Sequence, residues 1–255
     1  GSDALDAAGL DLLALIVASD GMLAVITDVT VKLVPKPQLA RCIMASFDDI
    51  RKAGDAVANV IAAGIIPAGL EMMDKPMTAA VEDFVHAGFP IDAAAVLLIE
   101  VDGLAAGVAA DVATIDGVAR AHRARQVQVA ADADQRARWW KGRKSAFGAV
   151  ARVKPNYYLH DTVVPRTRLL EVISQVYEIA ERYDLSIMNV LHAGDGNLHP
   201  LLVFDAREHL GGRRAPPPRS RLLAPAPHRP GEGQRARGPE GARGGVGDPE
   251  AQEPR

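Results

Sequence analysis

The chain has 255 residues, 48% of them hydrophobic but only 4% aromatic, and a formal net charge of −3. A core of Ala, Val, Leu and Ile is within reach, global disorder is excluded, and the charge gives no reason to expect nucleic acid or a membrane surface as partner. One cysteine, Cys42, forms neither an internal disulfide nor a thiolate metal site, which fits a reducing, cytoplasmic compartment, and no apolar run reaches the roughly 18 residues of a bilayer span.

The N-terminus, Gly1-Ser2-Asp3, has neither an initiator Met nor a signal-peptide pattern, so a piece of a longer protein or a processed product is expected. Leu12 to Ala18 reads as an apolar extended run, and Ser19-Asp20-Gly21 as a turn after it. Val25-Ile26-Thr27 and Val29 to Leu33 read as strand, rich in β-branched residues, and Pro35 and Pro37 end it. Two or three strands cannot close a sheet alone, so residues 1–36 read as the end of a larger domain.

From Leu39 onward strands and helices alternate. A strand is predicted at Ile43 to Phe47, then a helix capped by Asp48 or Asp49 and stopped by Gly64. Ile65 to Met73 reads as an edge or bulged strand because Pro67 and Gly69 interrupt it. Pro76 opens a helix ended by Gly88, and Ala95 to Val101 is a central strand. Residues 104–122 read as helix, Val127 to Ala131 as extended and 132–150 as helix. Tyr157 to Val164 follows as extended chain, Arg166 to Tyr183 as a periodic helix, and Ile187 to Phe204 as two arms around a glycine-rich turn. The pattern predicts an α+β domain over 37–210, ferredoxin-like, with a mainly antiparallel sheet and helices mostly on one face.

Residues 211–255 differ in kind. They hold 9 Arg, no Lys, 5 acidic residues, 9 Pro and 9 Gly. Such a segment buries too little apolar surface to offset the entropy of ordering, so a disordered tail is expected. Its Arg/Pro/Gly vocabulary also fits a stretch read out of frame in GC-rich DNA.

Three groups of residues carry candidate chemistry. In Asn189-Val190-Leu191-His192-Ala193-Gly194-Asp195-Gly196-Asn197-Leu198-His199-Pro200, two imidazoles flank a Gly-Asp-Gly turn. If the arms pair, His192 and His199 meet across the hairpin base and suit zinc, manganese or iron, with a third donor from Asp195, Asp161 or Glu208. The same residues equally suit a polar turn whose histidines hydrogen-bond locally. In Trp139-Trp140-Lys141-Gly142-Arg143, helical spacing puts Trp139 and Arg143 on one face, where the guanidinium fork would bind a carboxylate; a core Trp on a helix with a solvated basic face is the plainer alternative. The turn at Ser19-Asp20-Gly21 would let backbone N–H groups approach a phosphate or a flavin ring, or is simply a turn. Tyr158 and His160 share a face by alternation, His86 and His122 close helices, and Cys42 packs as a small hydrophobe.

Taken together, Ser19 to Thr27, Lys32 to Pro37, Trp140 to Lys144, Asp161 to Arg166 and His192 to Pro200 resemble the FAD-linked oxidases of the vanillyl-alcohol-oxidase type. Within that family the likeness is to its glycolate oxidase and D-lactate dehydrogenase branch, over about residues 10–208. The resemblance implies that residues 1–36 close an FAD domain, with Ser19, Asp20, Gly21 and Val25 near the flavin. It implies a cap domain at 37–210, Arg143 on the substrate carboxylate, and His192 and His199 on a divalent metal. The implied reaction is oxidation of a D-2-hydroxy acid such as glycolate or D-lactate, by proton abstraction and hydride transfer to FAD. Partner subunits of a glycolate-oxidase-like complex are implied too, with contact to the inner membrane made only through them.

The family's downstream glutamate–histidine–glycine segment has no counterpart among residues 211–255, so the third ligand and the base are both expected to be absent and this chain inactive alone. Two rivals stand beside the oxidoreductase: a non-enzymatic accessory domain, and a metal-dependent hydrolase built on His192 and His199.

Overall fold

The computed structural model describes residues 11–17 and 19–207; the expectations for the tail and for Glu208 lie outside them. Leu12–Val17 forms a short exposed helix, α1, where an extended run was predicted. Residues 24–37 carry no strand either. A β-branched stretch becomes a strand only beside a hydrogen-bonding neighbour, and no strand of the described sheet pairs with this one.

The body begins with β1 (Leu39–Phe47), α2 (Ile50–Ala62), β2 (Gly69–Asp74), α3 (Lys75–Val85), β3 (Ala95–Gly103), α4 (Ala105–Ala121) and β4 (Gln126–Val129). It continues with α5 (Ala133–Lys144), α6 (Ala146–Val153), β5 (Asn156–Leu159), β6 (Thr162–Val163), α7 (Leu169–Arg182), β7 (Ser186–His192) and β8 (Asn197–Phe204). One antiparallel sheet runs β4-β1-β3-β2-β7-β8-β5, with β6 also on β8. The first four strands in order β4-β1-β3-β2 are the ferredoxin-like arrangement, and the β7–β8 hairpin extends it past β2.

Local signals set the helix starts. Asp49 caps α2 by accepting from Arg51 N, Asp74 caps α3 by accepting from Met77 N, and Asp132 caps α5 by accepting from Gln135 N. Gly64 follows α2 at φ +82°, as expected for a stop.

Three expectations give way to packing. Helices cover both faces of the sheet, because strand side chains alternate between two apolar sets. Ile43, Ala45, Phe47, Leu97 and Ile99 pack under α2, α4 and α7, while Met44, Met73, Val96 and Leu98 pack under α3, α5 and α6. β2 is internal, between β3 and β7, because Pro67 stops short of the strand and leaves every ladder donor intact. The predicted helix over 132–150 is two helices, broken at Ser145 (φ −88°, ψ 3°). The break turns the chain so that Trp139 on one segment and Ala146, Ala149 and Val150 on the next reach one core.

Candidate functional site

The site lies where β2, β7 and β8 meet α5. Register decides which side chains share it. Glu71 on β2 is the direct cross-strand partner of His192 on β7, and Val190 is the partner of His199 on β8. With side chains alternating, Glu71, His192 and His199 fall on the face that carries α5 and α6. The two imidazoles are therefore diagonal neighbours across the hairpin, their ring centroids 5.1 Å apart and their planes at 87°. Phe147 on α6 closes the side of His199, edge-on at 6.2 Å.

The turn holding this geometry needs glycine. Gly196 stands at φ +83°, and a Cβ there would overlap the carbonyl oxygen of Val164. Asp195 spends its carboxylate on the turn, accepting from Asn197 N at 3.0 Å.

Glu71 organises the centre. It is 8% exposed, and its Oε1 lies 2.8 Å from His192 Nδ1. Its Oε2 lies 2.6 Å from Nη2 of Arg143, which α5 aims down from above, itself 7% exposed. That last contact is a close ion pair without hydrogen-bond alignment. Arg143 Nε and Nη2, Glu71 Oε2 and His199 Nδ1 are all buried without a hydrogen-bond partner. Buried polar atoms are rarely left so, and four in one place suit a polar ligand. Burial holds His199 below the ordinary imidazole value, helped by the charges of His192 and Arg143 and opposed by Asp161 and Glu71. Asp161 Oδ1 is 3.5 Å from His199 Nδ1, and its side chain is largely in solvent.

Glu71 and His192 open onto a cleft of about 760 Å³, walled by Ile65, Ile66, Pro67 and Leu70, with Arg166 at the rim donating to Gly194 O. With Glu71 and His192 lining an apolar cleft and Arg143 and His199 buried beside them, the cluster is equipped to receive a small polar ligand.

The fold thus brings His192, His199 and Arg143 together. Trp139, on the Arg143 side of α5, is fully buried in the core. Ser19, Asp20, Gly21 and Val25 are not brought to them. They lie on a largely exposed segment whose turn is held by Ser19 N to Ile16 O and Met22 N to Ser19 O. Asp20 (φ 49°) and Gly21 (φ 76°) leave the turn open, with nothing within 4 Å of a Cβ at Gly21, so a ring could approach its backbone. Among the described residues that turn is not enclosed into a cradle. Nor do they contain a group of three or more His, Cys, Asp or Glu arranged to hold a metal ion.

Sequence reasoning missed Glu71, which it placed inside an apolar strand without comment. The signal was there: a carboxylate in Leu70-Glu71-Met72-Met73 must find a buried partner if that strand is internal.

Residues 36–216 match the family described as FAD linked oxidases, C-terminal domain. The chain is 52% identical to the glycolate oxidase subunit GlcD of Escherichia coli K12, over 82% of this chain and 42% of that protein. It is 29% identical to the mitochondrial D-lactate dehydrogenase [cytochrome] of Arabidopsis thaliana, over 78% of this chain and 35% of that one. It therefore spans less than half the length of these two curated relatives. Among solved structures, an alkyldihydroxyacetonephosphate synthase matches with a TM-score of 0.57 at 15% identity, covering 81% of this chain and 44% of that one, a likeness of fold.

Proposed function

Because the chain belongs to the FAD-linked oxidase C-terminal domain family, we propose that the Glu71–Arg143–His192–His199 cluster is the substrate end of an oxidoreductase acting on a small D-2-hydroxy acid of the glycolate or D-lactate type. Its relatives' names point to that substrate class. The observation that carries the reading is the convergence of Arg143 and His192 on the buried Glu71, with His199 beside them, where Glu71 and His192 line the cleft.

In this reading Arg143 binds the carboxylate through its guanidinium fork, where burial strengthens a charge-assisted pair. The imidazoles of His192 and His199 face the hydroxyl end, and the low proton affinity of His199 leaves it a nitrogen lone pair at neutral pH. When bound, FAD supplies the hydride acceptor, so the hydroxy acid leaves as the 2-oxo acid. Ser19, Asp20, Gly21 and Val25 are the residues this chain would offer to the flavin, and residues 1–36 would belong to the flavin domain. No described residue is assigned as the base.

A divalent metal would take His192 and His199 as two donors. The described residues add no third, so they do not make a metal site by themselves and no step is derived through one. Partner subunits belong to the same proposal, since the relative from Escherichia coli is named as a subunit. So does a cytoplasmic compartment, with any inner-membrane contact made through those partners; among the described residues no helix is long and apolar enough to cross a membrane.

The test is calorimetric titration of the 255-residue chain with D-lactate and glycolate. Saturable binding is expected, weakened by about tenfold or more in Arg143→Lys, which keeps the charge and loses the fork. Binding that ignores the Lys substitution would refute the assignment of Arg143, and no binding of either acid would refute the substrate class.

A further inference from the structure

We propose that Glu71 is a positioning residue that fixes His192 in the tautomer protonated at Nδ1 and holds the Arg143 guanidinium against its other oxygen. The proposal deepens the reading of this site as a hydroxy-acid site and rests on it for the identity of the ligand.

A carboxylate accepts hydrogen bonds and donates none. With Glu71 Oε1 at 2.8 Å from His192 Nδ1, the proton between them belongs to the imidazole nitrogen. A neutral ring protonated at Nδ1 carries its lone pair at Nε2, which makes His192 a hydrogen-bond acceptor at that nitrogen. An unconstrained imidazole has no such assignment, so the carboxylate determines what His192 can do.

The same carboxylate reaches Arg143 with its other oxygen at 2.6 Å. The two contacts come from different elements, β7 and α5, and meet on a strand internal to the sheet, where both Glu71 and Arg143 are buried. A carboxylate at that depth is costly unless paired. Arg143 Nη2 meets Glu71 Oε2 by charge without hydrogen-bond alignment, and Nε has no hydrogen-bond partner in the protein. Glu71 thereby fixes an acceptor on one side and a fork of donors on the other, an arrangement matched to a hydroxyl and an adjacent carboxylate on one small molecule.

Long-range ¹H–¹⁵N NMR of the histidine rings in the 255-residue chain tests this. The wild type should show His192 as the Nδ1–H tautomer. In Glu71→Ala, and also in Glu71→Gln because an amide can itself donate to Nδ1, the Nε2–H share should rise, while His160, whose ring packs edge-on against Tyr158, stays unchanged. An Nε2–H ring in the wild type overturns the proposal even if neither variant folds. Persistence of the Nδ1–H form in either folded variant overturns it as well. A D-lactate titration of the same samples separates the two readings. A tautomer that follows Glu71 in a chain that does not bind D-lactate sustains the positioning role and removes the hydroxy acid. Where the acid does bind, its affinity should fall roughly tenfold in Glu71→Ala.

Discussion

Tyr177 on α7 donates its hydroxyl to Asp74 Oδ2 at 2.7 Å, across 103 positions of sequence. The same oxygen accepts from Asn189 N and Nδ2, and Oδ1 accepts from Met77 N, so one buried carboxylate ties β2, α3, α7 and β7 together. Burial pushes Asp74 up to about 6, although all four hydrogen bonds favour the ionised form. The folded state therefore binds this proton more tightly than the unfolded chain. The stability Asp74 contributes is greatest below about pH 4 and is lost as pH rises through 6, by roughly 3 kcal/mol. In urea titrations between pH 4.5 and 7.5, wild type should exceed Asp74→Asn by most at the acid end, with the gap narrowing upward. A gap independent of pH would refute it.

Gly64 and Gly196 share a left-handed φ, +82° and +83°, yet differ in surroundings. A Cβ at Gly64 meets nothing within 4 Å, whereas one at Gly196 runs into Val164 O, whose residue also donates its N–H to Gly196 O. Gly64→Ala should cost about 1 kcal/mol, the conformational strain alone. Gly196→Ala should cost roughly 2–4 kcal/mol, because the β6 approach to the turn must also open. Chemical denaturation of both variants measures the difference, and equal losses would show that the Val164 contact yields freely.

How much of this was legible in the sequence follows from what each signal depends on. Asp49, Gly64 and the Gly-Asp-Gly turn act within a few residues, and the structure uses them as the sequence suggested. The hairpin that joins His192 to His199 is equally local. Neighbours of a strand are another matter. Whether β2 is internal depends on β7, which lies more than a hundred residues later, and only that pairing makes Glu71 a partner of His192. The stretch from Val25 to Leu33 has the composition of a strand and no described strand to pair with. The two-sided cover of helices was hidden for the same reason, since alternation along a strand shows two apolar faces without showing what will cover them.

Zinc offers a direct check on the paired histidines. Catalytic zinc takes three protein ligands and structural zinc four, while the described residues gather two, one of them with its Nδ1 already against Glu71. If the described residues are all that the ion can use, the 255-residue chain loaded with zinc and passed through gel filtration emerges without stoichiometric metal. Retention of one zinc per chain, lost in His199→Ala, would contradict this and call for donors beyond the described residues.

Cys42 reports on the core itself. It is fully buried on β1 among Met44, Val96 and Leu98, and burial, reinforced by the charge of Glu100 against that of Arg136, pushes its thiol up to about 12. Reaction requires an accessible thiolate, and the folded chain offers neither access nor ionisation at neutral pH. Labelling by a thiol reagent should thus proceed only through unfolding molecules and should track the urea transition measured by circular dichroism. Substitution at the distant Gly196 should accelerate labelling in proportion to the stability it removes, because the exposed population rises with every loss of folding free energy. Labelling at full rate in the native wild type would show that β1 opens by itself, and the two apolar cores would then unfold separately.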